Sequence, residues 1–134
     1  MEKFNRSYER FSKALKKFKE VVDTPLLSEI FSDEFIVEIT TKRFEYTYEA
    51  MWKAVKEFLR NRGLECNSPK SCFKELLKEG VIDQEVEKTL SEMVLLRNYL
   101  VHVYDESQAK EIYNRIKELD ILKTFEVVYR GLRS

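Results

Sequence analysis

Ile36-Val37-Glu38-Ile39-Thr40-Thr41 is the stretch on which the fold turns. Its β-branched side chains favour a strand on local propensity. The residues after it argue the other way. Phe44, Tyr48, Met51, Val55 and Phe58 recur at spacings of 4, 3, 4 and 3, and Trp52 and Leu59 widen the stripe. That is one face of an amphipathic helix. A lone strand would find no partner elsewhere in the chain, so residues 33–62 are expected to form one long helix. Gly63 is its natural stop. The aromatic stripe Phe44/Tyr48/Trp52 reads as core or dimer contact rather than as a ligand cage.

Toward the N-terminus, Phe4, Tyr8, Phe11, Leu15, Phe18 and Val22 mark a first helix at spacings of 4, 3, 4, 3 and 4. Asp23-Thr24-Pro25 ends it, because proline disfavours helix at the residue before it. Thr24 is expected to cap a short second helix with Pro25 at its first position. After a loop at 64–68, Ser68-Pro69 starts a short helix carrying Phe73, Leu76 and Leu77, and Gly80 closes it. Asp83 caps the next helix, with Val86, Leu90, Met93, Leu96 and Leu100 on its inner face. Asp105 and Gln108 have the spacing of a capping box, so another helix begins just after Tyr104. Its stripe is Ala109, Ile112, Ile116 and Leu119. Asp120 marks an expected break before a last segment with Leu122, Phe125, Val128 and Leu132. These elements predict a single all-α domain over residues 1–134, an antiparallel up-and-down helical bundle of four to five main helices.

Composition agrees. The chain has 134 residues, enough for one domain with a real core, and only three Gly and two Pro. Lys+Arg and Asp+Glu balance at 24 each, so no global basic field advertises nucleic acid. The balance is uneven along the chain, however: residues 1–20 carry seven basic and three acidic side chains, residues 81–106 two basic and six acidic. No apolar run approaches the roughly 20 residues of a membrane span, and no signal-peptide core is present. Cys66 and Cys72 match no common zinc spacing, and the single histidine is far from them. They read as ordinary thiols of a cytoplasmic protein rather than as a disulfide. No metal or cofactor is expected.

Chemistry concentrates in Arg97-Asn98-Tyr99-Leu100-Val101-His102-Val103-Tyr104-Asp105-Glu106, which holds the only histidine. Arginine offers a permanent charge and a planar fork for phosphate. Imidazole gives and takes a proton near neutral pH. Asn98 would orient the imidazole or the phosphate, and Tyr104 offers a hydroxyl to donate or to be modified. On a straight helix Arg97 and Tyr104 share a face, whereas His102 lies about 140° from Arg97. Convergence of Arg97 and His102 therefore needs a distorted helix end or a two-fold dimer. The structural alternative is a capped helix end, with Arg97 paired to a nearby carboxylate.

This run resembles the R-x4-H-x-Y signature of HEPN domains. The upstream run from Arg43 to Leu59 is similar to the R-F-E-x-T-x-E-x-x-W-K segment of one subgroup, the nucleotidyltransferase substrate-binding protein family. Ser68-Pro69 and Gly80-Val81-Ile82-Asp83 match further pieces in the right order, so the resemblance spans roughly residues 43–119. Leu96 departs from the pattern, standing where an acidic residue is expected. The resemblance implies a helical homodimer with Arg-His motifs lining a cleft at its two-fold interface. It also implies a separate minimal nucleotidyltransferase as partner, in some members an antitoxin that adenylylates the motif tyrosine. Two readings result. In one, the chain is a partner subunit presenting a nucleotide, or Tyr104, to the transferase. In the other, it is a metal-independent endoribonuclease toxin with Arg97 and His102 catalytic and Asn98 supporting. It has no transferase motif of its own, such as a glycine-serine loop followed by paired aspartates.

Overall fold

A computed structural model describes residues 1–24, 26–102 and 105–133. Among these residues there are helices and no strands: α1 (Glu2–Val22), α2 (Leu27–Ile30), α3 (Asp33–Arg60), α4 (Pro69–Lys78), α5 (Gln84–Val101), α6 (Glu106–Ile116) and α7 (Leu119–Gly131). The all-α expectation holds, and α3 is its axis, since every other helix packs against it.

The β-branched run is helical because its surroundings outvote its propensity. Ser32 accepts a hydrogen bond from the Phe35 amide and caps α3, and Asp33 and Glu34 place negative charge in the first turn. Thr41 folds its hydroxyl back onto the Val37 carbonyl at 2.9 Å, as helical threonines do. Ile36 and Thr40 are buried, so the segment contributes to the core rather than merely extending the helix.

Pairs across α1 and α3 fix their antiparallel register. Asn61 reaches Met1, the Phe58 and Phe4 rings lie 6.1 Å apart, Thr47 donates to the Ala14 carbonyl at 3.1 Å, and Arg43 donates to that of Lys17 at 2.8 Å. The core between α1, α3 and α7 is aromatic. Phe125 meets the rings of Phe11, Phe18 and Phe44 edge-on, at 6.4, 5.4 and 5.9 Å. Tyr8 donates to the Tyr129 carbonyl and stacks on its ring, while the Tyr129 hydroxyl reaches Ser12, so α7 is tied to α1 by polar groups as well.

The helix ends follow the punctuation of the sequence. Gly63 and Gly80 adopt positive φ, and the Leu64 and Val81 amides reach back to Leu59 and Leu76 to close α3 and α4. Ser68 and Ser71 form a reciprocal capping box at α4, and Asp83 and Asp105 cap α5 and α6. Three details differ from expectation. The Thr24 hydroxyl donates to the Glu20 carbonyl at the end of α1 and so does not cap α2, which starts after Leu26. The expected first residue of that helix, Pro25, lies outside the described residues. The break between the last two helices falls at Lys117–Glu118, so Asp120 sits inside α7, and Leu119 is exposed instead of completing the α6 stripe.

The expectation of free thiols is corrected. Cys66 and Cys72 form a disulfide, their Cα atoms 5.2 Å apart. The turn through the Ser68 cap into α4 brings the two cysteines, six positions apart, within bonding reach. Both are buried. Sequence spacing alone does not encode that turn.

Candidate functional site

The second half of α5 carries the motif, and its residues divide between two faces. Arg97 turns inward toward α3. Its Nη2 lies 3.2 Å from Glu49 Oε1, and its Nε is buried without a hydrogen-bond partner. The Trp52 indole donates to the other oxygen of Glu49 at 3.2 Å. One carboxylate thus joins an arginine from the R-x4-H run to a tryptophan from the R-F-E-x-T-x-E-x-x-W-K run. Beneath it lies Tyr48, almost fully buried; burial first, and the Glu49 charge second, push its hydroxyl up to about 12, with Arg97 opposing. Tyr48 is therefore a neutral donor at physiological pH.

This resolves the departure at Leu96. That side chain is buried in the core, where an acidic group would be desolvated without a partner. The acid for Arg97 comes from α3 instead. Sequence reasoning missed Glu49 and Trp52 as members of the site. Their signal was in plain view: the glutamate and tryptophan of the upstream motif are three residues apart, so they share a helix face.

His102 is on the outside. It is the C-cap of α5, with its amide donating to the Tyr99 carbonyl at 2.9 Å and its side chain exposed. It lines a shallow cavity of about 300 Å3 with Tyr99, Gln108, Glu111 and Ile112. Arg97 is not part of that lining, so among the described residues this cavity does not bring Arg97 and His102 together. Asn98 is exposed beside His102 and Tyr99. Leu95, Asn98, Tyr99 and His102 fall at i, i+3, i+4 and i+7, which is one helix face. Two of the four are large apolar groups left open, Leu95 at 54% and Tyr99 at 60%. Tyr104 falls outside the described residues; in sequence it lies between the caps His102 and Asp105.

A larger hollow of about 540 Å3 lies where the first turns of α3 and α6 face each other. Asp33, Glu34, Glu38, Asp105 and Glu106 make it acidic, relieved by Lys110. Among the described residues no three His, Cys, Asp or Glu side chains are placed to hold a metal, and no helix is long and apolar enough to cross a membrane. Behind α5, Arg115 grips Glu92 through Nε and Nη2 at 2.7 and 2.8 Å, and Asp120 through Nη1 and Nη2 at 2.8 Å each. It locks α5, α6 and α7 together and keeps the motif helix in place.

Known proteins give the context. No curated protein matches the sequence. A crystal structure from Thermus thermophilus is 32% identical over 92% of this chain and 99% of that one, with a TM-score of 0.78. A tri-AMPylated HEPN toxin of Shewanella oneidensis in complex with an MNT antitoxin is 19% identical, covering 99% and 98% of the two chains, with a TM-score of 0.77. The toxin–antitoxin MntA-HpeT mutant is 18% identical with the same coverage and the same TM-score. The last two share the fold, a HEPN helical bundle. The family described as "Nucleotidyltransferase substrate binding protein like" matches residues 1–134. With that match over its full length, the chain belongs to the nucleotidyltransferase substrate-binding-protein-like family.

Proposed function

We propose that this chain is the substrate- or nucleotide-presenting subunit of a two-component minimal nucleotidyltransferase, with Tyr104 as the group the partner adenylylates. The observation that carries the reading is the division of the motif. Arg97 pairs with Glu49 on the inner face and His102 lines an open cavity on the outer one, so the described residues of one protomer offer a surface rather than an assembled catalytic site. In sequence Tyr104 falls between the caps of α5 and α6, and the second of these caps, Asp105, borders the acidic hollow. The Shewanella oneidensis toxin, AMPylated and bound to its antitoxin, supports the same chemistry here. The phenolic oxygen of Tyr104 would attack the α-phosphorus of ATP, pyrophosphate would leave, and the phenolic proton would pass to a base of the partner.

The test pairs the chain with a minimal nucleotidyltransferase, ATP and magnesium, and reads added AMP by intact-mass and peptide spectrometry. AMP on wild type but not on Tyr104→Phe supports the reading. Equal labelling of the variant would move the acceptor elsewhere.

The second reading is a metal-independent endoribonuclease in which Arg97 and His102, supported by Asn98, come together across a homodimer. The open Leu95/Tyr99 face beside His102 favours it, because a two-fold contact there would set two copies of the motif against each other. Purified chain incubated with total RNA, beside Arg97→Ala/His102→Ala, decides between them. Cleavage by wild type alone makes the chain a nuclease, and intact RNA leaves the partner-subunit reading.

A further inference from the structure

The uneven charge of residues 1–20 has a structural form that neither reading uses. Lys3, Arg6, Arg10, Lys13 and Lys17 recur at spacings of 3, 4, 3 and 4, and all five are exposed. They make one straight stripe along α1, about 21 Å long at 1.5 Å per residue. The stripe borders a hollow between α1 and α3, lined by Lys13, Ala14, Lys17, Arg43 and Tyr46. Arg43 is fixed at its edge by its hydrogen bond to the Lys17 carbonyl. The Tyr46 ring stands 65% exposed beside it.

Little neutralises this face. Among the described residues, Lys3, Arg6, Arg10 and Lys17 have no carboxylate within ion-pairing distance. Glu9 reaches Lys13 at 3.3 Å, with both side chains largely in water, and Glu20 reaches Arg43 at 3.4 Å. Contacts of that kind are weak and exchange readily for a better anion. The stripe also lacks the apolar centre that a protein interface places inside its polar rim. A row of cations beside an exposed aromatic ring is instead what a flexible polyphosphate chain with stackable bases requires.

We propose that the α1/α3 face, where the Lys3–Lys17 stripe lies beside Arg43 and Tyr46, is a track for single-stranded nucleic acid. The cations hold the phosphates and Tyr46 stacks a base. Neither Arg97 nor His102 is among the residues that line it, so the proposal stands whether or not the adenylylation reading does.

The test uses the full chain and fluorescence anisotropy with a labelled single-stranded RNA and a DNA of the same sequence, over a range of salt. Lys13→Gln/Lys17→Gln should weaken binding at least tenfold and flatten the log–log salt slope by about 1.4, at roughly 0.7 per phosphate contact. Tyr46→Ala should weaken binding about tenfold without changing the slope. Lys70→Gln/Lys74→Gln, which removes two exposed charges from α4, should keep the wild-type slope. RNA bound better than DNA would mark the ribose as read; equal binding would mark a backbone track. The proposal is overturned if the α4 variant loses as much as the α1 variant, since net charge alone would then act. An acidic peptide that competes as well as RNA overturns it too, in favour of a protein partner. Failure of Tyr104 labelling would leave these outcomes untouched.

Discussion

Arg97 on α5 and Glu49 on α3 meet at 3.2 Å, and Trp52, one helical turn from Glu49, holds the second carboxylate oxygen. The two sequence motifs are thereby one structural unit. The pair is about one-third exposed on each side, so its coupling is modest. A double-mutant cycle with Arg97→Met and Glu49→Gln, read by urea unfolding, should give a coupling of about 0.5–1 kcal/mol. Strict additivity would show that the contact contributes nothing to the fold. Trp52→Phe should cost a further ~1 kcal/mol through the lost indole donor.

Arg115 carries more. Its guanidinium is less exposed than its partners and makes paired hydrogen bonds to both Glu92 and Asp120. Arg115→Met should cost roughly 1–3 kcal/mol, chiefly by releasing α6 from α5 and α7. The Arg115 hydrogen bonds also hold the Asp120 carboxyl below its ordinary range. A carboxyl depressed on folding favours the native state while ionised. Its contribution is complete above the unfolded value of about 3.9 and is lost as pH falls through the lower folded value. Acid unfolding of wild type should steepen in that window, and Asp120→Asn should remove the steepening. An identical acid limb in the variant would place the effect elsewhere.

Periodicity made most of the fold legible, because helices packed on one axis write their faces at 3.6 residues per turn. Phe11, Leu15, Phe18, Leu90, Met93, Phe125 and Val128 are all buried where their stripes put them. Even Ile36–Thr41 was readable, by asking what a strand there would pair with. The site was legible as residues but not as geometry. Arg97 and His102 are five positions apart, which on a helix sends them to different neighbours, and only the packing of α3 on α5 reveals that Glu49 claims the arginine. Leu119 misled because a stripe continued through a helix break looks the same in sequence as one that stops. The disulfide was invisible because its closure depends on how the 64–68 loop turns, not on which residues fill it.

That disulfide should matter to stability. It closes a short loop, for which chain entropy predicts about 2 kcal/mol. Reduction, or Cys66→Ala/Cys72→Ala, should lower the melting temperature by several degrees. The α3 and α5 helices that carry the motif should keep their circular dichroism below the transition. A melting temperature indifferent to reductant would mean that the thiols are free in solution.

The outer face of α5 makes the sharpest demand. Leu95 and Tyr99 are more than half exposed in one protomer, so replacing either with Glu removes little buried surface and should leave the monomer's stability within about 0.5 kcal/mol. If the face is the two-fold contact, Leu95→Glu/Tyr99→Glu also sets like charges across the axis and should shift sedimentation from dimer to monomer at micromolar concentration. The melting temperature of wild type should then rise with protein concentration and that of the variant should not, because association stabilises by mass action. A wild type that sediments as a monomer at every concentration would end the dimer proposal. With it would go the only arrangement that brings His102 of one copy toward Arg97 of another, leaving His102 as a helix cap with an open side chain.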